Sequence, residues 1–135
     1  MPMVPGPFAV VTYTTIKVAG YAGFAHVLNQ MMDRDVHVWK FGIAKTGIGL
    51  AAGLTYVLMM MSIADDRHVS DAQGYAGMFP FRVAAWGVAL ALFYGYRDRK
   101  ALVILALIAG VLWSYLLDGA MALVYHVPGM AMAIC

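Results

Sequence analysis

The chain carries very little charge for its length. Only 12% of its 135 residues are Asp, Glu, Lys or Arg, glutamate is absent altogether, and 63% are apolar. Soluble domains are about 25% charged and cover their surface with polar side chains. The composition therefore excludes an ordinary soluble domain and predicts an integral membrane protein.

Cysteine and catalytic constellations are scarce as well. The single cysteine, Cys135, cannot form an internal disulfide and matches no metal-ligand spacing. Of the four histidines only His26 lies within a predicted span, so the facing imidazole pair of a b-type haem is not predicted. The sequence contains no nucleophile–base–acid set and no phosphate-binding loop. We therefore expect no enzyme activity, no cofactor, no metal and no nucleic-acid partner.

The apolar residues form four long runs, and a transmembrane helix needs about 20 mostly apolar residues. The runs predict one all-α domain over residues 1–135, an integral membrane bundle with spans at about 14–32, 41–63, 79–94 and 102–125. The first span could instead run from Phe8 to Leu28. The start at Thr14 is preferred because Lys17, with no acid one turn away, could then extend to the interface.

Basic residues set the predicted orientation. Most of them lie in the first and third connections: Arg34, Lys40, Arg97, Arg99 and Lys100. The positive-inside rule places these connections on the cytoplasmic or matrix-like side. Both termini and the Asp65–Asp71 loop then face the opposite side.

Small residues recur at four-residue spacing, which places them along one face of a helix. In lipid, such faces let helix backbones approach closely, either within a tightly packed bundle or in docking against a partner's helices. Each predicted span contributes to this pattern, and the predicted packing positions are Gly20, Gly23, Gly49, Gly87 and Gly110.

Asp118 is the most unusual polar residue, because it lies within the fourth span. Intramembrane acids are costly and usually face a partner or a cavity. One interpretation is a proton or ion site. The preferred interpretation is an intramembrane charge pair with Arg82, which is expected at the same membrane face near the start of the third span.

A short motif extends from the second span into the loop that follows it. Gly53, Tyr56, Arg67 and Asp71 are separated by intervals of three, eleven and four residues. This arrangement resembles the signature of the mitochondrial preprotein translocase family, also called the preprotein and amino-acid transporter family, which has four spans. The Arg67–Asp71 interval would let the two side chains pair across one helical turn.

The opening of the first span adds to the resemblance. Thr14-Thr15 followed by Gly20 and Gly23 is similar to the opening of the complex I accessory subunit of this family. Three positions depart from the pattern, which expects small residues or glycine there: Met78, Phe79 and Val83. The departures favour a structural member over a working translocase.

The resemblance implies a non-catalytic accessory subunit of mitochondrial respiratory complex I in the inner membrane. Its partners would be the membrane arm of the complex and membrane lipids such as cardiolipin, with both termini facing the intermembrane space. Two alternatives stay open. One is an import translocase component of the same family, and the other is a small four-helix transporter that uses Asp118 and Lys45 as its polar path.

Overall fold

The computed structural model describes residues 7–63, 74, 76–95 and 100–125. Its helices are α1 (Pro7–Met32), α2 (Val38–Ile63), α3 (Phe79–Phe93) and α4 (Lys100–Tyr125). Among the described residues there are four helices and no strand, so the prediction of an all-α fold is confirmed.

The first helix begins earlier than the preferred first span. It begins at Pro7, not near Thr14. Proline is favoured at the first helical position, where its missing N–H and its fixed φ cause no loss. The earlier start has a consequence for Lys17, which lies in the third turn of the helix, well inside α1.

The connection between α1 and α2 is held by the side chain of Asn29. Its amide nitrogen donates to the Val36 carbonyl at 2.7 Å, and its amide oxygen accepts from the Tyr94 hydroxyl at 2.9 Å. Asp33 has a φ of 51°, and the Arg34 N–H donates to the Asn29 carbonyl, so α1 ends in a left-handed turn. One side chain thus fixes the α1–α2 turn against the end of α3.

The helices form a closed ring. Each packs against the next in sequence, and α4 packs against α1. Tyr13 of α1 packs on Met121 of α4, and the Trp113 indole of α4 donates to the Gly20 carbonyl of α1. The residue nearer the start of α1 thus meets the residue nearer the end of α4. These two helices are therefore antiparallel, as expected for an up-down-up-down bundle.

Trp86 of α3 occupies the centre of the bundle and is fully buried. Its ring packs against Tyr21 and Phe24 of α1, at centroid distances of 5.7 and 5.1 Å, and against Phe41 of α2 at 6.1 Å. On the α4 side it lies on Gly110, where an added Cβ would be 2.6 Å from the ring. Gly110 is therefore the position that admits the indole between α3 and α4.

The other predicted packing glycines differ from one another. At Gly20 an added Cβ would lie 2.9 Å from Leu117 of α4, so this glycine lies at a helix contact. Gly49 is buried and Gly87 is partly buried. Gly23 is exposed, and an added Cβ would meet nothing within 4 Å, because it lies on the outer side of α1. It does not pack within this bundle, and its docking against a partner's helices stays a prediction.

One close approach between helix backbones involves a glycine that was not predicted. At Gly42 an added Cβ would lie 2.6 Å from the Val18 carbonyl oxygen and 3.3 Å from the Ala22 nitrogen. Those atoms belong to the backbone of α1 and cannot move aside cheaply. Gly42 lies seven residues before Gly49 and therefore on the same face of α2, which is the signal that could have identified it.

The outer faces of the helices are apolar. Many large apolar side chains are exposed, among them Leu92 at 70% and Leu112 at 64%. Among the described residues two helical segments are long and apolar enough to cross a membrane, Val38–Ser62 and Lys100–Met121, and Phe79–Phe93 is apolar but shorter. The apolar surface therefore surrounds the bundle on its outside, while four charged side chains are buried inside: Lys17, Lys45, Arg82 and Asp118.

Candidate functional site

The polar and aromatic side chains of the interior recur every four residues along their helices. Residues four apart stack along one face of a helix. This spacing relates the interior residues of three helices: Tyr13, Lys17 and Tyr21 on α1, Arg82 and Trp86 on α3, and Ser114 and Asp118 on α4.

Asp118 is the centre of the site. Its carboxylate pairs with the Lys17 ammonium at 2.9 Å and with the Arg82 guanidinium, and it accepts a hydrogen bond from the Tyr13 hydroxyl. Lys17, Arg82 and Asp118 are exposed by only 0%, 1% and 2%. One carboxylate therefore joins α1, α3 and α4 through charge-assisted hydrogen bonds, which are stronger than neutral ones.

A second layer lies one helical turn away. The Trp86 indole donates to the Ser114 hydroxyl at 2.8 Å, and the Tyr21 and Ser114 hydroxyls are 3.2 Å apart. The Lys45 ammonium of α2 lies 4.9 Å from the ring centroids of both Tyr21 and Trp86. An ammonium is attracted to the face of an aromatic ring, so Lys45 has a cation–π contact with each of these two rings.

The four buried charged side chains, Lys17, Lys45, Arg82 and Asp118, are called the charge cluster below. Among the described residues they are the buried ionisable side chains of Lys, Arg and Asp, three of them basic and one acidic. Each helix contributes one member. Burying charge away from water is costly unless it is balanced, and the Asp118 carboxylate provides that balance for Lys17 and Arg82.

The structure brings together the predicted pair, Arg82 and Asp118, in direct contact. It differs from the expectation for Lys17, which is fully buried and does not extend to an interface. The expectation considered only acids one turn away on the same helix, whereas the acid comes from α4. Tyr13 was missed because it precedes the preferred first span, although its four-residue spacing to Lys17 was visible in the sequence.

The structure describes only two of the four residues of the motif that begins in the second span. Gly53 is buried, and the Tyr56 hydroxyl donates to the Gly74 carbonyl at 2.9 Å. Arg67 and Asp71 lie outside the described residues, so their pairing stays a prediction. Among the residues that the structure describes, no group of three or more His, Cys, Asp or Glu side chains could hold a metal ion.

No family model, no curated protein and no solved structure matches this chain.

Proposed function

We propose that this chain is an integral membrane protein with four crossings that carries a small polar solute across its membrane through the charge cluster. The observation that supports this most is the site of Asp118, which is buried between the helices and contacts cations from two other helices. Ionisable residues within membrane helices usually line a path for a solute, an ion or a proton.

The membrane location is supported by the distribution of polarity. Soluble monomers rarely expose apolar patches larger than a few hundred Å², and here apolar residues cover the outside of all four helices. Helix α3 has 15 residues and is about 22 Å long. One turn earlier the Met78 N–H donates to the Gly74 carbonyl, which adds helical length toward the roughly 30 Å of a bilayer core.

A carrier is supported by the way the cluster links the helices. Asp118 holds α1 through Lys17 and α3 through Arg82. A solute that replaces one of these contacts would release one helix from α4. The bundle would then open when the solute binds at Asp118. Ligands shift a conformational equilibrium only through such differential contacts.

Uptake into proteoliposomes tests the proposal. The purified protein would be offered radiolabelled solutes of three charge classes: glucose, arginine, and the anions acetate and phosphate. We expect uptake of at least one class above empty liposomes, abolished by Asp118→Asn and retained by Asp35→Asn, which changes an exposed residue of the α1–α2 turn. Equal uptake by the wild type, Asp118→Asn and empty liposomes for every class would overturn it.

A second candidate is the predicted accessory role in respiratory complex I of the mitochondrial inner membrane. It is favoured by the contact between Tyr56 of the motif and Gly74, which fixes the end of α2 to the segment before α3. Native electrophoresis after mild detergent extraction would test it. Migration with NADH dehydrogenase activity supports this role, and migration as a free small protein contradicts it.

A further inference from the structure

We infer that a groove between α1 and α4 binds one acyl chain of an anionic phospholipid, whose headgroup lies against basic residues at the same end of the bundle. This inference rests on the membrane location in the proposed function, but it requires no transport. It follows from three observations: the shape of the groove, its apolar lining and the distribution of charge between the two ends of the bundle.

The groove begins just beyond a close contact of α1 with α4. At Gly20 the two helices touch, because the Trp113 indole donates to the Gly20 carbonyl at 3.1 Å. One turn later on α1, the Phe24 ring stands beside Trp113, with 6.2 Å between the ring centroids. From Phe24 the groove continues to Met32, at the end of α1. The helical rise over these residues makes it about 12 Å long.

The size and lining of the groove suit a narrow apolar chain. Its volume is about 290 Å³, whereas a second helix, roughly 10 Å across with its side chains, would occupy roughly 900 Å³ over the same length. A single acyl chain therefore fits within the groove, and a helix does not. The described side chains that line the groove are apolar, and they include Val27, Leu28 and Met31 of α1 and Leu105, Ala106 and Ala109 of α4.

The acyl chain alone gives little preference for one lipid over another. Inside a bilayer the lipid tails are as apolar as the side chains, so there is no hydrophobic gain when a tail moves from the surrounding lipid into the groove. The headgroup therefore decides which lipid binds, through the charges at the end of the bundle where the groove lies.

The two ends of the bundle differ in charge. The groove lies where α1 ends and α4 begins, and the sequence at that end, residues 33–40 and 96–100, contains five Lys or Arg and three Asp. Residues 64–78, which connect α2 to α3 at the opposite end, contain one Arg and three Asp. Opposite charges attract, so an anionic headgroup is favoured at the end where the groove lies.

Lys100 is placed to contact that headgroup. It is the first residue of α4 and lies two residues before Leu102, which lines the groove. Its side chain is exposed and lines a second apolar groove, beside Val103 and Leu107. A lysine stem lies along such apolar surface while its ammonium stays at the polar edge of the bilayer. Each Lys or Arg near the membrane surface strengthens the attraction of anionic lipid about fivefold.

Native mass spectrometry of the full chain in detergent, with added dioleoyl-phosphatidylglycerol or dioleoyl-phosphatidylcholine, measures lipid binding. The wild type should bind the anionic lipid at least about fivefold more tightly than the zwitterionic lipid. Lys100→Gln should weaken phosphatidylglycerol binding about fivefold and leave phosphatidylcholine binding unchanged. Lys40→Gln is the matched control and should weaken it less, because it removes an exposed lysine at the same end from α2, which does not line the groove.

Ala109→Leu tests the groove itself. Ala109 lines the groove, and a leucine there fills the space for the chain, so binding of both lipids should be lost. The matched control is Ala120→Leu, which changes an exposed residue toward the other end of the same helix and should leave binding unchanged. A dimer that Ala109→Leu dissociates would show that a second copy of the chain covers the groove, and would overturn the inference.

Three further results would each overturn it: equal affinity of the wild type for the two lipids, equal effects of the two lysine substitutions, or unchanged binding by a folded Ala109→Leu variant. The lysine substitutions change exposed residues and decide the question if Ala109→Leu does not fold.

The outcomes also separate the inference from the proposed function. Uptake of a solute without a preference for anionic lipid leaves the carrier and contradicts the lipid site. The expected lipid preference and its loss in Lys100→Gln, without uptake of any solute, support the lipid site and contradict the carrier. Absence of both the lipid preference and the uptake contradicts both.

Discussion

At the scale of single residues, the structure is organised by one acid. Asp118 is bound by groups from α1 and α3, and none of these contacts is reached by solvent. Breaking a buried ion pair by removing one partner leaves an uncompensated charge and costs about 3–5 kcal/mol. The geometry predicts that this residue contributes more to stability than any exposed charge of the chain.

Asp118→Asn should therefore lower the free energy of unfolding by about 3–5 kcal/mol. The measurement is titration with sodium dodecyl sulfate of the detergent-solubilised protein, followed by circular dichroism. Asp35→Asn is the matched control and should change stability by less than about 0.5 kcal/mol. Combining Asp118→Asn with Lys17→Met should cost less than the sum of the single changes, because both remove the same contact; additive losses would contradict the pairing.

At the scale of helices, two of the glycines at helix–helix contacts differ in what they touch. Gly42 of α2 lies against the backbone of α1, and Gly110 of α4 lies against the ring of Trp86. The same two helices, α2 and α4, also contain glycines at which an added Cβ would meet nothing within 4 Å: Gly47 and Gly119. Substitutions at Gly47 and Gly119 are therefore matched controls for substitutions at Gly42 and Gly110.

Gly42→Ala should destabilise the bundle by about 1–3 kcal/mol, because overpacking forces the two backbones apart. Gly47→Ala, five residues along the same helix, should be neutral or stabilising by up to about 1 kcal/mol, since alanine favours helix. The midpoint of unfolding in detergent measures both. Equal effects of the two substitutions would show that α1 and α2 do not approach at Gly42.

Gly110→Ala should also destabilise by about 1–3 kcal/mol, and it should move the indole of Trp86 away from Ser114. The expected signature is a changed tryptophan fluorescence spectrum in a variant that carries Trp39→Phe and Trp113→Phe. Gly119→Ala in the same background is the control and should leave the spectrum unchanged. A spectrum insensitive to Gly110→Ala would contradict the packing of α3 against α4 at this position.

Local patterns predicted the helices better than they predicted the site. Apolar runs indicated all four helices, and the four-residue spacing indicated Gly110 as a packing position. Lys17 was misplaced because its partner acid lies 101 residues further along the chain, at Asp118. Gly23 and Gly42 could not be told apart by spacing alone, since the face that a helix turns inward depends on which neighbours surround it.

At the scale of the whole molecule, polarity is inverted relative to a soluble protein. Four charged side chains are buried in the interior, and large apolar side chains cover the outside of the helices. A lipid bilayer favours apolar surface on the outside of a protein, so this arrangement supports the proposed membrane location. The charge cluster can act as proposed only if all four helices cross the bilayer, so that its members lie within it.

Site-specific labelling measures the number of crossings most directly. Native Cys135 and a single cysteine introduced as Asp35→Cys, with Cys135→Ser, would be exposed to a membrane-impermeant maleimide in sealed vesicles of known orientation. Four crossings place the α1–α2 turn and the C-terminus on opposite sides, so each cysteine should react from one side only, and from different sides. If only α2 and α4 cross, both cysteines react from the same side, which would contradict the account.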